Sequence, residues 1–280
     1  MTVPPRAAVA VITGGGGDMG IACAERLGAR GQRLCLAELA PDRLERATAA
    51  LRGRGLEVTP VRCDVADPGS IRHLAETAAG LGELAALVHT AGLSPTMGDG
   101  RRILTVNLIG SALLVEAFRP LAVAGTAAVL VASQAGHLAR RARTPALDAL
   151  LDAPLRPDFL AALEALDANL FAPAAAYPIS KYGVQRLAVR EAPAWGARGA
   201  RIVSLSPGII DTGMGRQEYA AQPFMKTMVE RTPLRRQGRA EEIASAADFL
   251  CSADASFVTG TDLLVDGGST EQVLAMFGGA

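Results

Sequence analysis

The sequence predicts an α/β protein built on a doubly wound parallel sheet with helices on both faces. Three observations predict it. Short, continuous apolar runs alternate with stretches of helical periodicity at about 25–30 residues per unit, the rhythm of strand–helix–strand crossovers. The first apolar run passes directly into a glycine-rich segment that opens a helix. The chemically capable residues fall just after apolar runs, and ligands in such sheets sit at the carboxyl ends of the strands.

Residues 7–13 read as a strand buried on both faces. They lead into Gly14-Gly15-Gly16-Gly17-Asp18-Met19-Gly20 and then a helical stretch, Ile21 to Arg30. Glycine lets the backbone approach a pyrophosphate, and the free N–H groups at a helix start stabilise its charge. A bare glycine run also suits a flexible loop, but the flanking strand and helix favour an anion site. The next strand, Gln32 to Glu38, ends in an acid about 20 residues after the glycines, where a carboxylate accepts from ribose hydroxyls and repels a 2′-phosphate. The glycine loop holds no Arg or Lys, and Arg43, after Pro41 and Asp42, is assigned to the following helix. Glu38 therefore favours NAD over NADP; its alternative role is a helix cap or a solvated glutamate.

Further strands are expected over 57–63, ending in Asp64-Val65, and over 84–89, ending in Thr90-Ala91-Gly92, with helices over 42–52 and 68–80. A long helix is expected over 101–122, with Asn107 inside the apolar frame of Leu104, Leu108, Ala112 and Val115. A buried Asn without partners costs about 1–3 kcal/mol, so Asn107 is a hydrogen-bonder, structural or functional. A fifth strand, 127–132, leads into Ser133-Gln134-Ala135-Gly136. Tyr177 and Lys181 lie one turn apart on a helix, with Pro178 placed in its first turn. A tyrosine ordinarily titrates near pKa ~10, and an ammonium beside it favours the phenolate. Alone, that pair equally fits a packed helix face with a solvated lysine.

The 280 residues are 50% apolar, enough for one core in one domain. Lys and Arg number 28 and Asp and Glu 28, without a charged block, so nothing supports nucleic-acid or membrane-surface binding. Cys23, Cys35, Cys63 and Cys251 are scattered without a CxxC pair and read as free buried thiols in a reducing compartment. His73, His89 and His137 show no metal-ligand spacing, and no metal is expected. The first residues, 1–6, lack a charged region followed by an apolar one, so a cytoplasmic protein is expected.

Taken together, Thr13-Gly14…Gly20, Glu38, Asp64-Val65, Ala91-Gly92, Asn107, Ser133-x-x-Gly136, Tyr177-x-x-x-Lys181 and Ser206-Pro207-Gly208…Thr212 resemble the short-chain dehydrogenase/reductase family. The stretches 233–244 and 257–268 resemble its C-terminal portion, so the likeness runs over roughly residues 7–268. The resemblance implies a single Rossmann-type domain of about seven strands that interconverts a secondary alcohol and a ketone. It implies Tyr177 as acid/base, Lys181 lowering its pKa and bonding the nicotinamide ribose, Ser133 holding the substrate oxygen, and Asn107 anchoring a water in a proton relay. Thr13, Gly14, Gly17, Asp18, Met19 and Gly20 would form the cofactor-binding turn, with the Asp18 carboxylate weakening pyrophosphate binding unless it points away, and Asp64 and Val65 would flank the adenine. Ala91 and Gly92 would line the cofactor path, while Pro207, Gly208, Ile210 and Thr212 would meet the nicotinamide. A homotetramer or homodimer is also implied.

Two departures carry expectations of their own. Asp18 stands where the family has a glycine; directly before the helix, it is expected to cap it. Ser133 and Tyr177 are 44 positions apart, much further than is usual in the family. The inserted segment 137–176 carries Arg140, Arg141 and Arg143, three prolines, and a helix with Phe159, Leu163, Leu166 and Leu170 on one stripe. It is expected to be either a surface excursion, packed on the core or on another subunit, or a lid over the substrate. Some hydroxysteroid dehydrogenases and carbonyl reductases of this family carry insertions here, which implies a bulky apolar alcohol or ketone. His137 either lines the pocket or caps a strand end. Met214, Tyr219, Phe224, Met225 and Met228 suggest an adaptable apolar wall or ordinary packing, and the tail 269–280 a subunit contact. The competing readings are a catalytically silent dinucleotide-binding regulator of the same fold, favoured only by Asp18, and an extended epimerase or dehydratase, which would need a larger C-terminal domain.

Overall fold

A computed structural model describes residues 7–222 and 224–277. The chain begins with β1 (Ala8–Thr13), α1 (Asp18–Ala29), β2 (Arg33–Glu38), α2 (Pro41–Gly53), β3 (Val58–Arg62), α3 (Pro68–Leu81) and β4 (Glu83–His89). Then come α4 (Gly100–Leu104), a π-turn (Thr105–Ile109), α5 (Gly110–Phe118), β5 (Ala122–Val131), α6 (Gln134–Ala139), α7 (Pro145–Leu151), α8 (Phe159–Leu166) and α9 (Pro173–Gly196). The last part holds β6 (Arg201–Pro207), the two-residue strands β7 (Ile210–Asp211) and β8 (Gly238–Arg239), α10 (Gly213–Ala221), α11 (Phe224–Arg231), α12 (Ala240–Leu250), β9 (Asp262–Val265) and α13 (Ser269–Phe277).

Seven parallel strands pair in the order β3-β2-β1-β4-β5-β6-β9. The central strands are buried on both faces, as their unbroken Val, Ile, Leu and Ala runs require. One core cluster packs α3, α5 and α9 against the sheet; the other packs α1, α2 and α12 against its opposite face. Strand order reverses between β1 and β4, and that switch point opens the crevice where ligands settle in doubly wound sheets. The four cysteines are free, and burial pushes Cys23, Cys35 and Cys251 up to about 12, so they behave as apolar side chains. Among the described residues one helical stretch, Gly100–Leu121, is long and apolar enough to cross a membrane, and it is largely buried in the core.

Two sequence expectations change. The long helix of 101–122 is interrupted by the π-turn, which carries Asn107. The helix of Tyr177 and Lys181 starts earlier than expected: Pro173 takes the first-turn position, and Pro178 lies inside. Pro178 therefore removes the N–H that would bond the Ala174 carbonyl. The inserted segment packs against the core. Leu147, Leu151, Phe159 and Leu163 join the main core, while Leu166 is exposed in the last turn. Arg186 of α9 clamps it through Asp152 at 2.8 and 2.6 Å and Asp148 at 2.9 Å. The tail also packs within the chain: Val273 of α13 is buried with Ile209 and Met228. Residues 1–6 and 278–280, on which the terminal readings partly rested, lie outside the described residues.

Candidate active site

Two cavities meet at the carboxyl ends of the strands and share Met19, Gly92, Thr212 and Met214 in their walls. The larger, about 530 Å³, begins at the glycine turn. Gly14 adopts φ +65°, and a Cβ there would lie 2.7 Å from the Ala91 backbone nitrogen. A Cβ on Gly20 would lie 2.4 Å from the Gly14 carbonyl oxygen, so neither position admits a side chain. The turn delivers the unpaired first-turn amides of α1 to the cavity, a fit for a pyrophosphate. Thr13, Gly17, Asp18 and Met19 line it there, Asp64 and Val65 at its far end, and Ala91 along its floor.

Glu38 is buried at the end of β2. Its carboxylate accepts from the backbone N–H of Gly16 at 3.1 Å, Leu39 at 3.0 Å and Ala40 at 3.2 Å. It thus sets both the glycine turn and the approach to α2, partly meeting the capping alternative. Arg43 reaches back from α2 to within 4.0 Å of Glu38, and Arg46 joins it in the wall. Arg43 belongs to the following helix as expected and still lines this end of the cavity from there, beside Arg46, which the sequence did not single out.

Asp18 does not cap α1. Gly17 is the N-cap residue and no side chain bonds there. The Asp18 carboxylate instead accepts from the Gly213 N–H at 2.6 Å, across the cleft at the start of α10. The anionic group is therefore held by a donor other than the loop's own amides.

The smaller cavity, about 370 Å³, contains Ser133, Tyr177 and Lys181, with Pro207, Gly208 and Ile210 in its wall. Ser133 is the N-cap of α6 and its Oγ accepts from Ala135 N–H at 3.2 Å, which leaves its proton free to donate. Ser133 and Tyr177 line the same cavity. Burial pushes Tyr177 above its ordinary range and the Glu218 carboxylate pushes it further, while the Ser133 hydroxyl pulls it down. Lys181 donates to the Val131 carbonyl at 3.0 Å, and its Nζ lies 5.9 Å from the Tyr177 ring centre. Burial drives Lys181 down to about 8. The expected lowering of Tyr177 by Lys181 is therefore not found: burial and Glu218 set the direction.

Asn107 lines neither cavity. It stands behind Lys181 and clamps Leu93, accepting from its N–H at 2.7 Å and donating to its carbonyl at 3.0 Å and to Ser180 Oγ at 3.1 Å. Its own backbone carbonyl accepts from Ser111 Oγ at 2.5 Å. With that proton used, His89 Nε2 must donate to Ser111 Oγ at 2.9 Å, and His89 Nδ1 must accept from Thr13 Oγ1 at 2.6 Å. A directed chain therefore runs from the first strand to the π-turn. His137 does not reach the pocket; its ring meets Asp262 at 2.7 Å, and Asp262 also accepts from Ser204 and Ser206. In the wall, Met214, Phe224, Met225 and Met228 face the smaller cavity, whereas Tyr219 packs in the cluster beneath α11. Glu218, Gln134 and Gln222 are polar lining groups that an apolar reading of this wall missed. Among the described residues no group of three or more His, Cys, Asp or Glu could hold a metal ion.

Known proteins match this arrangement. Residues 8–145 fit the family model described as short chain dehydrogenase, and 162–270 fit that described as Enoyl-(Acyl carrier protein) reductase. A short-chain dehydrogenase/reductase of Alternaria brassicicola is 35% identical over 263 residues, covering 92% of this chain and 94% of its own. The D-threitol dehydrogenase of Mycolicibacterium smegmatis is 31% identical, with 94% and 92% covered. A solved short-chain type dehydrogenase/reductase from Mycobacterium ulcerans superposes with TM-score 0.76 at 25% identity, covering 97% of this chain and 94% of its own. On its fold, its cleft and these relatives, the chain belongs to the short-chain dehydrogenase/reductase family.

Proposed function

We propose that this oxidoreductase is an NAD(H)-dependent dehydrogenase interconverting a secondary alcohol and a ketone on a largely apolar, cyclic or steroid-like body. The carrying observation is that Ser133, Tyr177 and Lys181 line one cavity, which shares walls with the glycine-lined cleft. Bound nicotinamide dinucleotide supplies the hydride acceptor and donor. The first-turn amides of α1 bind its pyrophosphate, and Glu38 accepts from its adenosine ribose. Tyr177 gives its proton to the carbonyl oxygen in reduction and takes it back in oxidation. Ser133 donates to the same oxygen and fixes its position, and the Lys181 ammonium, steadied by Val131, holds the nicotinamide ribose. Asn107 keeps the Leu93 loop in place behind Lys181 and backs the relay of protons to solvent.

Fluorescence titration with NADH and NADPH, followed by a panel of secondary alcohols and ketones, tests this reading. Tight NADH binding with turnover of cyclic substrates is expected. Binding without turnover of any of them would transfer the case to a silent dinucleotide-binding protein. The NAD preference has its own test. In Glu38→Ala the repelling carboxylate is gone while Arg43 and Arg46 remain to meet a 2′-phosphate, so the preference for NADH over NADPH should shrink about tenfold or more. An unchanged ratio would remove Glu38 from the cofactor argument. We further place the enzyme in the cytoplasm as a homodimer or homotetramer, a state that light scattering on the purified protein reads directly.

A further inference from the structure

The wall of the smaller cavity is not uniformly apolar. Met214, Glu218 and Gln222 fall at i, i+4 and i+8, so α10 and its C-cap turn one face inward, and all three line the cavity opposite Ser133 and Tyr177. Glu218 is half-buried, and the Ser94 hydroxyl and the Lys181 ammonium both favour its charged form. Among the described residues its carboxylate forms no ion pair, and Lys181, which shares the cavity, donates to Val131. A carboxylate without an ion pair keeps most of its acceptor sites open toward the cavity. Burial holds its carboxyl above the ordinary range, the cost of keeping such a group here without a full set of partners.

We infer that Glu218 is a specificity-determining residue that accepts a hydrogen bond from a second hydroxyl on the substrate, so the preferred substrates are neutral diols and hydroxyketones. Resting on the dehydrogenase reading above, this assignment narrows its substrate class. The reacting oxygen lies between Ser133 and Tyr177, and a hydroxyl on a neighbouring carbon projects toward α10. A substrate ammonium would meet Lys181 in the same cavity, and a substrate carboxylate would meet Glu218 itself. A neutral hydroxyl meets neither repulsion, and Gln134 and Gln222 offer it further polar contacts.

The test compares cyclohexanol, the cis and trans cyclohexane-1,2-diols, cyclohexane-1,3-diol and cis-4-hydroxycyclohexanecarboxylate with the wild type, Glu218→Leu and Glu218→Gln. The wild type should favour at least one diol over cyclohexanol by about ten- to a hundredfold in kcat/KM, the usual worth of a hydrogen bond to a charged group, carried mainly in KM. Glu218→Leu should collapse that ratio toward one. The isosteric Glu218→Gln should keep part of it and raise kcat/KM for the carboxylate substrate about tenfold. Equal preference in the wild type, or an unchanged ratio in Glu218→Leu, overturns the assignment while leaving the dehydrogenase intact. No turnover of any alcohol by a wild type that binds NADH removes the dehydrogenase reading itself, and this assignment with it.

Discussion

Replacing Tyr177 by Phe should lower turnover in both directions by about 10²–10⁴-fold, the usual contribution of a positioned acid/base, while NADH binding changes little. The ring keeps its packing against the core, so the loss falls on proton transfer. Steady-state rates with a ketone and its alcohol, set beside a fluorescence titration, separate the two effects. Turnover within a few-fold of wild type would take Tyr177 out of the mechanism. The pH profile follows from the same site. Tyr177 sits above its ordinary range, so its proton is in place for ketone reduction throughout the neutral region. Lys181, pushed down to about 8, keeps its charge below that pH and loses it above. Reduction should therefore hold steady on the acid side of about 8 and decline beyond it, as the ammonium that supports the developing phenolate disappears. A rate that climbs through that region would contradict the assignment.

What was legible in the chain was whatever a residue does with near neighbours in sequence. The β1–glycine–α1 unit announces itself because strand, turn and helix are contiguous, and Tyr177 and Lys181 because one helical turn joins them. Glu38 could be read from its distance to the glycines. The misreadings share a different property: each side chain finds its partner far along the chain. Asp18, at the opening of a helix, has every local reason to cap it, yet its partner Gly213 is 195 residues away. Where the insertion settles depends likewise on Arg186 and on the core beneath Phe159 and Leu163, which its own residues do not reveal. Glu218 was hidden in a segment whose methionines dominated its reading, and nothing local shows that α10 turns its carboxylate toward Tyr177. Asn107 was singled out as a buried hydrogen-bonder, but the π-turn that presents it depends on Ser111 and on His89 from another strand.

That histidine carries the second large effect. His89 is fully buried between Thr13 and Ser111, and burial, with Lys181 nearby, holds it down to about 3 against an ordinary 6.5. The unfolded chain therefore takes up a proton below about 6.5 that the folded protein refuses until about 3. Stability is complete above about 6.5 and drains away as pH falls through that window. Each unit of difference is worth about 1.4 kcal/mol, so the whole gap amounts to several kcal/mol, a large fraction of a typical domain's stability. Denaturant unfolding from pH 7 to pH 4 should show a steep acid loss in the wild type. In His89→Asn one partner of the chain goes unsatisfied, so stability at pH 7 should drop by about 1–3 kcal/mol, but the acid slope should flatten. Parallel slopes in the two proteins would mean that another group governs the acid loss. Protonating His89 also gives Nδ1 a hydrogen where it must accept from Thr13, and sets a second positive charge near Lys181. The directed chain to the Asn107 carbonyl then loses its polarity, so acid should loosen the Leu93 loop behind Lys181 before it unfolds the sheet. Hydrogen exchange at the Leu93 amide, read against the amides of β1, would show that order; equal protection at both as pH falls would mean the chain and the sheet open together.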